Sequence, residues 1–226
     1  MIMIFLSFCL LIVVLGIGKK YNQTDWGHWG TNILDGWIRI YCRNFHRQSI
    51  EQIDLPKDKC FLVAVNHLSA IDPFILITAM RRPVRFMIAK EEYEKPILNK
   101  MFKAAGCIPV DRGGRVDGAF RSALRAIERG ELVAIFPQGG IHRYDLPREK
   151  IKSGIIKLSA LTQCSILPVR INGIGAPGTE GLSLITRSQI SLDVHELISE
   201  QEVQLPDFRV KMAEWLLGRV DKINFE

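Results

Sequence analysis

The chain has 226 residues, of which 47% are hydrophobic, and it carries a net charge of +6. This composition excludes a disordered chain and leaves room for one domain with a substantial core and an appended membrane element. The positive charge favours anionic partners such as membrane phospholipid, a phosphorylated substrate or nucleic acid. The cysteines show no metal-ligand spacing, and reduced, mostly buried thiols are expected at Cys9, Cys42, Cys60, Cys107 and Cys164.

The N-terminus begins with 18 uncharged and almost entirely apolar residues, which Lys19 and Lys20 follow. A helix of this length covers roughly 27 Å, marginally enough to span the hydrocarbon of a bilayer. No positive n-region or Ala-x-Ala site marks it as a cleavable signal peptide. The basic flank predicts a single N-terminal anchor, spanning or monotopic, with the rest of the chain on the cytoplasmic face of the membrane. A buried core helix is the alternative.

The next segment, residues 19–31, places Trp26, His28 and Trp29 among Gly and Asn, a composition typical of a lipid headgroup layer. Thr31 is predicted to cap a helix that runs to about Arg47. The apolar positions of this helix form one stripe, which consists of Ile33, Leu34, Trp37, Ile38, Tyr41 and Phe45. Its basic positions lie elsewhere and are Arg39, Arg43, His46 and Arg47. The pattern fits equally a helix in the membrane interface and a helix packed on the domain core.

From Glu51 onward strands alternate with helices, and no repeat or linker divides the chain. The predicted strands are 60–66, 84–89, 107–110, 131–136, 165–172 and 188–194, and the predicted helices are 72–80, 96–105, 116–129, 153–163 and 207–223. The alternation predicts an α/β fold with a mixed, largely parallel sheet that helices cover on both faces. We expect a membrane anchor and interfacial helix in residues 1–50 and one catalytic domain in residues 51–226.

A polar turn between the first predicted strand and helix of this domain contains His67 and Asp72. An imidazole can take a proton from an alcohol, and a carboxylate that fixes its tautomer makes it a better base. His67 is therefore the predicted general base and Asp72 its partner, a pair suited to acyl transfer to a hydroxyl. The alternatives are a structural histidine and an aspartate that only caps the following helix. Asn66 and Ser69 are predicted substrate contacts, and no Gly-x-Ser-x-Gly elbow makes Ser69 a nucleophile.

Further blocks follow the other predicted strands, where ligand sites of such folds gather. They are Ala89 to Glu92, Gly106 to Arg112, Phe136 to Arg143 and Leu167 to Ile171, with Lys152-Ser-Gly154 between the last two.

Each block supplies candidate substrate-binding groups. Lys90, or backbone N–H groups near it, is predicted to stabilise an oxyanion, and Arg112 to bind phosphate in a bidentate fashion. Solvated charged side chains and simple turn glycines are the alternatives throughout. The remaining predicted contacts are Gln138, Gly139, Gly140, Arg143 and Lys152, of which the two glycines permit close approach of the backbone to a ligand.

With these blocks in this order, the chain resembles the glycerolipid acyltransferases, the family that includes 1-acylglycerol-3-phosphate acyltransferase. The resemblance covers about residues 55–175 and includes Lys90 and the Lys152-x-Gly154 element. It implies a mixed sheet with helices and an N-terminal membrane-binding helical pair. It also implies acyl transfer from acyl-CoA or acyl-carrier protein to the sn-2 hydroxyl of 1-acylglycerol 3-phosphate, giving phosphatidic acid, with no metal and no other cofactor.

The third block departs from the family's usual Glu-Gly-Thr-Arg, because here it reads Gln138-Gly139-Gly140-Ile141. The acid and the arginine usually linked to the acceptor's phosphate are both replaced. Gln138 keeps the size and hydrogen-bonding capacity of glutamate without its charge, and Arg143 is expected to contact phosphate from a displaced position. Another lysophospholipid or a glycolipid acceptor is therefore an alternative, as is a non-catalytic membrane-binding protein of the same fold. No nucleic-acid-binding motif accompanies the positive charge.

Overall fold

The centre of the molecule is a sheet of six strands: β1 (Phe61–Val65), β2 (Val84–Ala89), β3 (Ile108–Val110), β4 (Leu132–Ile135), β5 (Ser165–Asn172) and β6 (Ser191–Val194). The computed structural model describes residues 2–49, 52–111, 113–114, 116–142 and 151–218. The strand order is β3-β2-β4-β1-β5-β6, in which β6 runs antiparallel to β5 and every other pair is parallel. The predicted mixed, largely parallel sheet is confirmed.

The helices follow the predicted alternation and cover both faces of the sheet. They are α1 (Ile2–Tyr21), α2 (Trp29–Asn44), α3 (Asp72–Ala79), α4 (Lys90–Tyr93), α5 (Pro96–Ala104), α6 (Asp117–Glu128), α7 (Gly154–Thr162), α8 (Leu182–Ile185), α9 (Glu200–Val203) and α10 (Phe208–Leu217). The single-turn helices α4, α8 and α9 are not among the predicted elements. The predicted extension of the last helix to residue 223 lies partly outside the described residues.

Two apolar cores lie on opposite faces of the sheet, because successive side chains of each parallel strand point to opposite faces. On one face Val63 and Phe86 pack with Ile75 of α3. On the other, Leu62 packs with Ala123 of α6 and with helices α7 and α10. All residues of β1 are buried, as expected of a central strand that helices cover on both sides.

Helix α1 leaves almost its whole apolar surface exposed and is long and apolar enough to cross a membrane. It pairs in antiparallel fashion with α2. The two backbones approach so closely that a Cβ atom on Gly36 would lie 1.8 Å from the carbonyl oxygen of Gly18. One turn closer to the N-terminus of α1, the carbonyl oxygen of Val14 accepts a hydrogen bond from the Trp37 indole over 3.2 Å. Small residues at the crossing therefore hold the two helices together.

Helix α2 packs on the domain core through Ile38 and Tyr41 of the predicted apolar stripe, and its fully buried positions also include polar residues. Its buried residues are Asp35, Gly36, Arg39 and Cys42. Arg39 is buried because its guanidinium pairs with Asp35 and binds carbonyl oxygens at the end of α3. The predicted Thr31 cap is wrong: the helix is capped by His28, whose Nδ1 accepts from the backbone N–H of Gly30 over 3.1 Å.

Two of the residues expected in a headgroup layer have different environments. Trp26 is buried beneath α2, where its indole donates to Asp35 and its ring lies under the Arg85 guanidinium. Trp29 is exposed, as a headgroup contact requires. Of the two indoles, only that of Trp29 is therefore accessible to lipid.

The expectation that all five cysteines are reduced thiols is wrong for two of them. Cys60 and Cys164 form a disulfide with their Cα atoms 5.0 Å apart. They precede β1 and β5, which pair with Phe61 opposite Ser165, so the strand register brings the two sulfur atoms together. Cys42 and Cys107 are buried free thiols, and burial raises the pKa of each to about 12.

Candidate active site

The turn that connects β1 to α3 brings His67 and Asp72 into direct contact. The Nδ1 atom of His67 lies 2.8 Å from Oδ2 of Asp72. The carboxylate is completely buried, whereas the imidazole side chain keeps 19% of its surface exposed. The predicted pair therefore meets in space at the carboxyl end of a buried parallel strand, with the histidine accessible from outside.

Asp72 organises the whole turn as well as the imidazole. Its Oδ2 accepts from the backbone N–H groups of Leu68 and Ser69, over 2.6 and 2.9 Å, and its Oδ1 accepts from the Ser69 hydroxyl over 3.0 Å. The predicted alternative of a simple N-cap does not describe this geometry. Helix α3 begins at Asp72 itself, and Ile71 occupies the cap position without a side-chain hydrogen bond. The carboxylate points back into the turn, where three donors and the imidazole surround it.

The hydrogen bonds assign the tautomer of His67. Asp72 accepts hydrogen bonds from the donors around it, so Nδ1 of His67 carries the hydrogen that it donates to Oδ2. In the neutral imidazole this leaves Nε2 unprotonated and able to accept a proton. The geometry therefore presents a base whose orientation is set by a buried carboxylate.

The loop after β4 holds the other side of the turn, and three of its residues contact His67. The Phe136 ring stacks on the imidazole with the ring centroids 4.1 Å apart. The buried Gln138 accepts from the backbone N–H of His67 through Oε1 over 2.6 Å. The backbone N–H of His142 donates to the carbonyl oxygen of His67 over 2.7 Å. Because β4 lies beside β1 in the sheet, these residues after β4 hold the His67 turn in place, and we call them the clamp.

Gly139 and Lys152 lie together at this clamp. Gly139 has a φ of +84°, a conformation that favours glycine, and a Cβ atom at this position would lie 2.2 Å from the Lys152 ammonium nitrogen. The backbone N–H of Lys152 donates to the carbonyl oxygen of Pro137 over 2.9 Å. The structure thus brings the predicted Lys152, Gly139 and Gln138 side by side, one strand away from β1.

Two predicted substrate contacts have positioning roles. The buried Asn66 uses both ends of its amide on the backbone of Ile171, donating over 2.9 Å and accepting over 2.7 Å, and so ties β1 to β5. The Ser69 hydroxyl is fully buried against Asp72. Both side chains therefore hold the site together, and a direct contact of either with substrate stays a prediction.

Lys90 is the first residue of α4, directly after β2. Half of its side chain is exposed, and its ammonium nitrogen lies 3.9 Å from Oε1 of Glu94. Since β4 separates β2 from β1, Lys90 begins about 10 Å from the His67 turn along the same edge of the sheet. A flexible lysine side chain at this distance can approach a substrate that lies across the strand ends. The predicted contacts Arg112 and Arg143 lie outside the described residues.

A cavity of about 380 Å³ lies elsewhere, between the end of β6 and α10. Its lining includes His195, Leu205 and Trp215, and it contains no residue of the turn between β1 and α3.

A comparison with protein families identifies this arrangement. The acyltransferase family model matches residues 46–172, a segment that contains the His67 turn, the Gln138 clamp and Asn66 with its partner Ile171. The chain belongs to the acyltransferase family.

Known relatives of this acyltransferase act on phosphorylated glycerolipids. The 1-acyl-sn-glycerol-3-phosphate acyltransferase of Bacillus subtilis (strain 168) is 22% identical over 170 residues, which cover 75% of this chain and 77% of that protein. The probable 1-acyl-sn-glycerol-3-phosphate acyltransferase of Mycoplasma pneumoniae is 30% identical over 163 residues, covering 68% and 59%. The chain spans only 52% of the corresponding Mycoplasma genitalium protein.

A solved structure shares the fold of this acyltransferase. The 1-acyl-sn-glycerophosphate (LPA) acyltransferase PlsC from Thermotoga maritima superposes with a TM-score of 0.60 at 19% identity. The superposition covers 84% of this chain and 79% of that one. The mixed sheet with its helices is therefore the fold of a known acyltransferase.

Sequence reasoning missed how the acyltransferase site is held together. The stacking of Phe136 on His67 and the hydrogen bond from His67 to Gln138 are not among the predictions. A signal for both is present, since Phe136 and Gln138 belong to the block Phe-Pro-x-Gly that the sequence places after a strand. The pairing of β4 with β1 turns that block into a support for the histidine.

Proposed function

We propose that this acyltransferase moves a fatty acyl chain from acyl-CoA or acyl-carrier protein to the sn-2 hydroxyl of 1-acylglycerol 3-phosphate, giving phosphatidic acid. The observation that carries the proposal is the contact between Nδ1 of His67 and Oδ2 of Asp72 over 2.8 Å in a partly exposed turn. The printed names of the Bacillus and Mycoplasma relatives support the choice of acceptor.

In the proposed reaction His67 acts as general base. Its Nε2 takes the proton of the acceptor hydroxyl while the oxygen attacks the carbonyl carbon of the thioester. The tetrahedral intermediate then collapses, the carbon–sulfur bond breaks, and the imidazolium returns the proton to the leaving thiolate. Asp72 stabilises the imidazolium in between. Such a base contributes on the order of 10²–10⁴ in rate.

Other groups of the site are proposed to hold the substrates. Lys90, or a backbone N–H near it, stabilises the oxyanion of the tetrahedral intermediate. Lys152 offers a cation beside Gly139, close to the clamp on His67. Arg112 and Arg143 are proposed as phosphate contacts on the sequence pattern alone.

A second acceptor class is favoured by the neutral third block. Gln138 stands where the family usually has glutamate, and its Oε1 is already used by the His67 backbone. Its buried Nε2 has no hydrogen-bond partner among the described residues. A neutral donor in this place, with Ile141 where the family has arginine three residues later, suits a lysophospholipid or glycolipid with a different headgroup.

A panel of acceptors tests these proposals. The full chain in phosphatidylcholine vesicles is given acyl-CoA or acyl-carrier protein with lysophosphatidate, lysophosphatidylethanolamine, lysophosphatidylglycerol or a monoacyl glycolipid, and products are detected by mass. Product with lysophosphatidate supports the first proposal. Product only with another acceptor supports the second. No product with any acceptor contradicts both and favours a non-catalytic membrane-binding protein.

The proposed location is the membrane, with α1 as the anchor and the catalytic domain on the cytoplasmic face. The apolar surface of α1 and the basic pair Lys19 and Lys20 support this placement. The disulfide between Cys60 and Cys164 weighs against it, since disulfides persist in oxidising compartments. Protease digestion of sealed membrane vesicles of known orientation decides the matter: cleavage of the domain only in inverted vesicles supports the cytoplasmic face.

A further inference from the structure

The single-turn helix α8 presents two aliphatic side chains to the outside. Leu182 is 53% exposed and Ile185 is 74% exposed, the highest value for a large apolar side chain outside α1 among the described residues. Between them Ser183 is buried and Leu184 packs against the core. The helix is thus fixed to the domain by its middle residues and turns its two ends outward.

Contacts with α2 hold α8 and the residues after it in place. The Tyr41 hydroxyl donates to the carbonyl oxygen of Leu184. The Arg187 guanidinium lies over the Phe45 ring, 6.0 Å from its centroid. The outward direction of Leu182 and Ile185 is therefore set by packing against the C-terminal end of α2.

This end of α2 lies beside the exposed half of α1. The helices run antiparallel, with Gly18 opposite Gly36 and Val14 opposite Trp37, so the residues of α1 before Val14 lie at the level of Tyr41 and beyond. Those residues are the most apolar and most exposed part of the chain. Helix α8 therefore packs against the same end of α2 toward which the apolar first half of α1 runs.

The charges around α8 are mainly positive. Arg187 follows the helix and is exposed, and the exposed Arg47 comes just after α2, whose C-terminal end contacts Arg187 through Phe45. Glu180, which is exposed, precedes the helix. Exposed aliphatic side chains beside arginines match a lipid surface with anionic headgroups, where the apolar groups enter the acyl boundary and the cations remain at the phosphates.

The same segment is joined to the active site. The backbone N–H of Gly178, in the loop between β5 and α8, donates to the carbonyl oxygen of Leu68 over 2.8 Å. Leu68 directly follows His67, and α8 lies at the carboxyl edge of the strands, as the turn does. A membrane contact at α8 thus sets the position of the catalytic turn relative to the bilayer.

We propose that Leu182, Ile185 and Arg187 form a second membrane contact that inserts into the surface of an anionic bilayer beside the active site. The proposal rests on the membrane association included in the proposed function, but not on its chemistry. A lysolipid then reaches His67 from the bilayer surface without leaving it. An acidic soluble protein is the competing occupant, but α8 packs on the end of α2 toward which the exposed apolar half of α1 runs, and that half suits lipid.

Tryptophan substitution tests the contact directly. Ile185→Trp and Leu182→Trp each place an indole on α8, and Leu161→Trp is the matched control. Leu161 is 52% exposed near the end of α7, at the opposite edge of the sheet. The full-length variants are reconstituted in vesicles of phosphatidylcholine and phosphatidylglycerol with or without bromine on the acyl chains, and the emission of the wild-type tryptophans is subtracted.

The α8 indoles are expected to lose roughly half of their emission in brominated vesicles, as fits a side chain about 5–10 Å inside the interface. The Leu161→Trp indole is expected to lose none. Equal emission from all three in brominated and plain vesicles would overturn the proposal. Unquenched α8 indoles whose emission changes on addition of acyl-carrier protein would overturn it too, and would assign the surface to a protein.

A second measurement separates this proposal from the proposed function. Ile185→Glu is expected to lower product formation from a long-chain lysolipid in vesicles several-fold and to leave the rate with a monomeric short-chain acceptor unchanged. An equal loss with both acceptors would indicate a structural effect and contradict the contact. If the wild type makes no product at all, the proposed function fails, while quenching of the α8 indoles still establishes the membrane contact.

Discussion

Arg39 and Asp72 lie at opposite ends of α3. The Arg39 guanidinium donates to the carbonyl oxygens of Ile77, Thr78 and Met80 over 2.9–3.1 Å, whereas the Asp72 carboxylate forms the first turn. The last carbonyl groups of a helix lack partners within it and carry partial negative charge, so a cation there is favourable. Helix α2 thereby holds the helix that carries the partner of His67.

Arg39→Met should destabilise the protein by about 3–5 kcal/mol, because it leaves the fully buried Asp35 carboxylate without its partner. Unfolding by denaturant in detergent, followed by circular dichroism, measures the loss. Arg81→Met is the control. Arg81 is exposed just after α3, so its replacement should change the unfolding free energy by less than about 0.5 kcal/mol.

The double variant Asp35→Asn with Arg39→Met tests the cause. If the unpaired charge dominates, the double variant is more stable than the sum of the two single losses predicts. Strict additivity would mean that the two side chains act separately, and the account given for Arg39 would be wrong.

The sheet was predictable from the sequence because its strands are short runs of apolar residues. β1 lies between helices on both faces and is entirely apolar, and the fully buried positions of β5 are apolar too. The alternation with helices predicts mainly parallel strands, whereas the strand order is known only from the structure. The short helix α8 gave no such signal, since one turn contains too few residues to show a helical period.

The orientation of α2 was not predictable, since it depends on distant partners. By periodicity Arg39 belongs to a solvated face, yet the carbonyl groups that it binds lie 38–41 residues away in the chain. The same holds for Asn66, whose amide is used by Ile171 at a separation of 105 residues. A sequence pattern shows which residues are polar, but the fold decides which of them are satisfied inside.

His67→Ala should lower the rate of product formation by about 10²–10⁴, because no other base replaces the imidazole in proton transfer. His195→Ala is the matched control, since His195 lies at the cavity beside α10 and outside the site. Both variants are compared with the wild type for acyl transfer and for their circular dichroism. A His67→Ala protein that keeps the wild-type rate would exclude this residue as the base.

Asp72→Asn should reduce the rate by a similar order, because an amide no longer fixes the Nδ1-protonated tautomer or stabilises the imidazolium. It should also cost about 1–3 kcal/mol of stability, since Oδ2 accepts from two buried backbone N–H groups. Ser69→Ala serves as the comparison, because it removes the hydroxyl contact with Oδ1 and the bond from the Ile71 N–H but leaves the two bonds to Oδ2. A loss of stability with an unchanged rate would leave Asp72 a purely structural role.

Gly139→Ala should destabilise the protein by about 1–3 kcal/mol, because an L residue is strained at a φ of +84°. The added Cβ also displaces the Lys152 ammonium group, so the KM for a phosphorylated acceptor should rise more than kcat falls. At Gly140 a Cβ atom would have no neighbour within 4 Å, which makes Gly140→Ala the control. Equal KM values for both variants and the wild type would show that Lys152 does not bind the acceptor.

The buried His46 should make folding stability depend on pH. Its Nδ1 lies 2.9 Å from the Ser188 hydroxyl, and burial lowers the pKa of its imidazole in the folded state. The unfolded chain, with an ordinary pKa of about 6.5, therefore binds more protons as the pH falls. This part of the stability is complete above about pH 7 and is lost as the pH falls through 6.5 toward the lower folded value.

His46→Gln should reduce the dependence of the unfolding free energy on pH between about pH 7 and pH 5. This holds even if the variant is less stable than the wild type at neutral pH. The measurement is denaturant unfolding in detergent at several pH values. Because His46 joins the end of α2 to the segment after α8, the unfolding of this junction at low pH would also release the proposed membrane contact. A pH dependence of His46→Gln equal to that of the wild type would place the titrating group elsewhere.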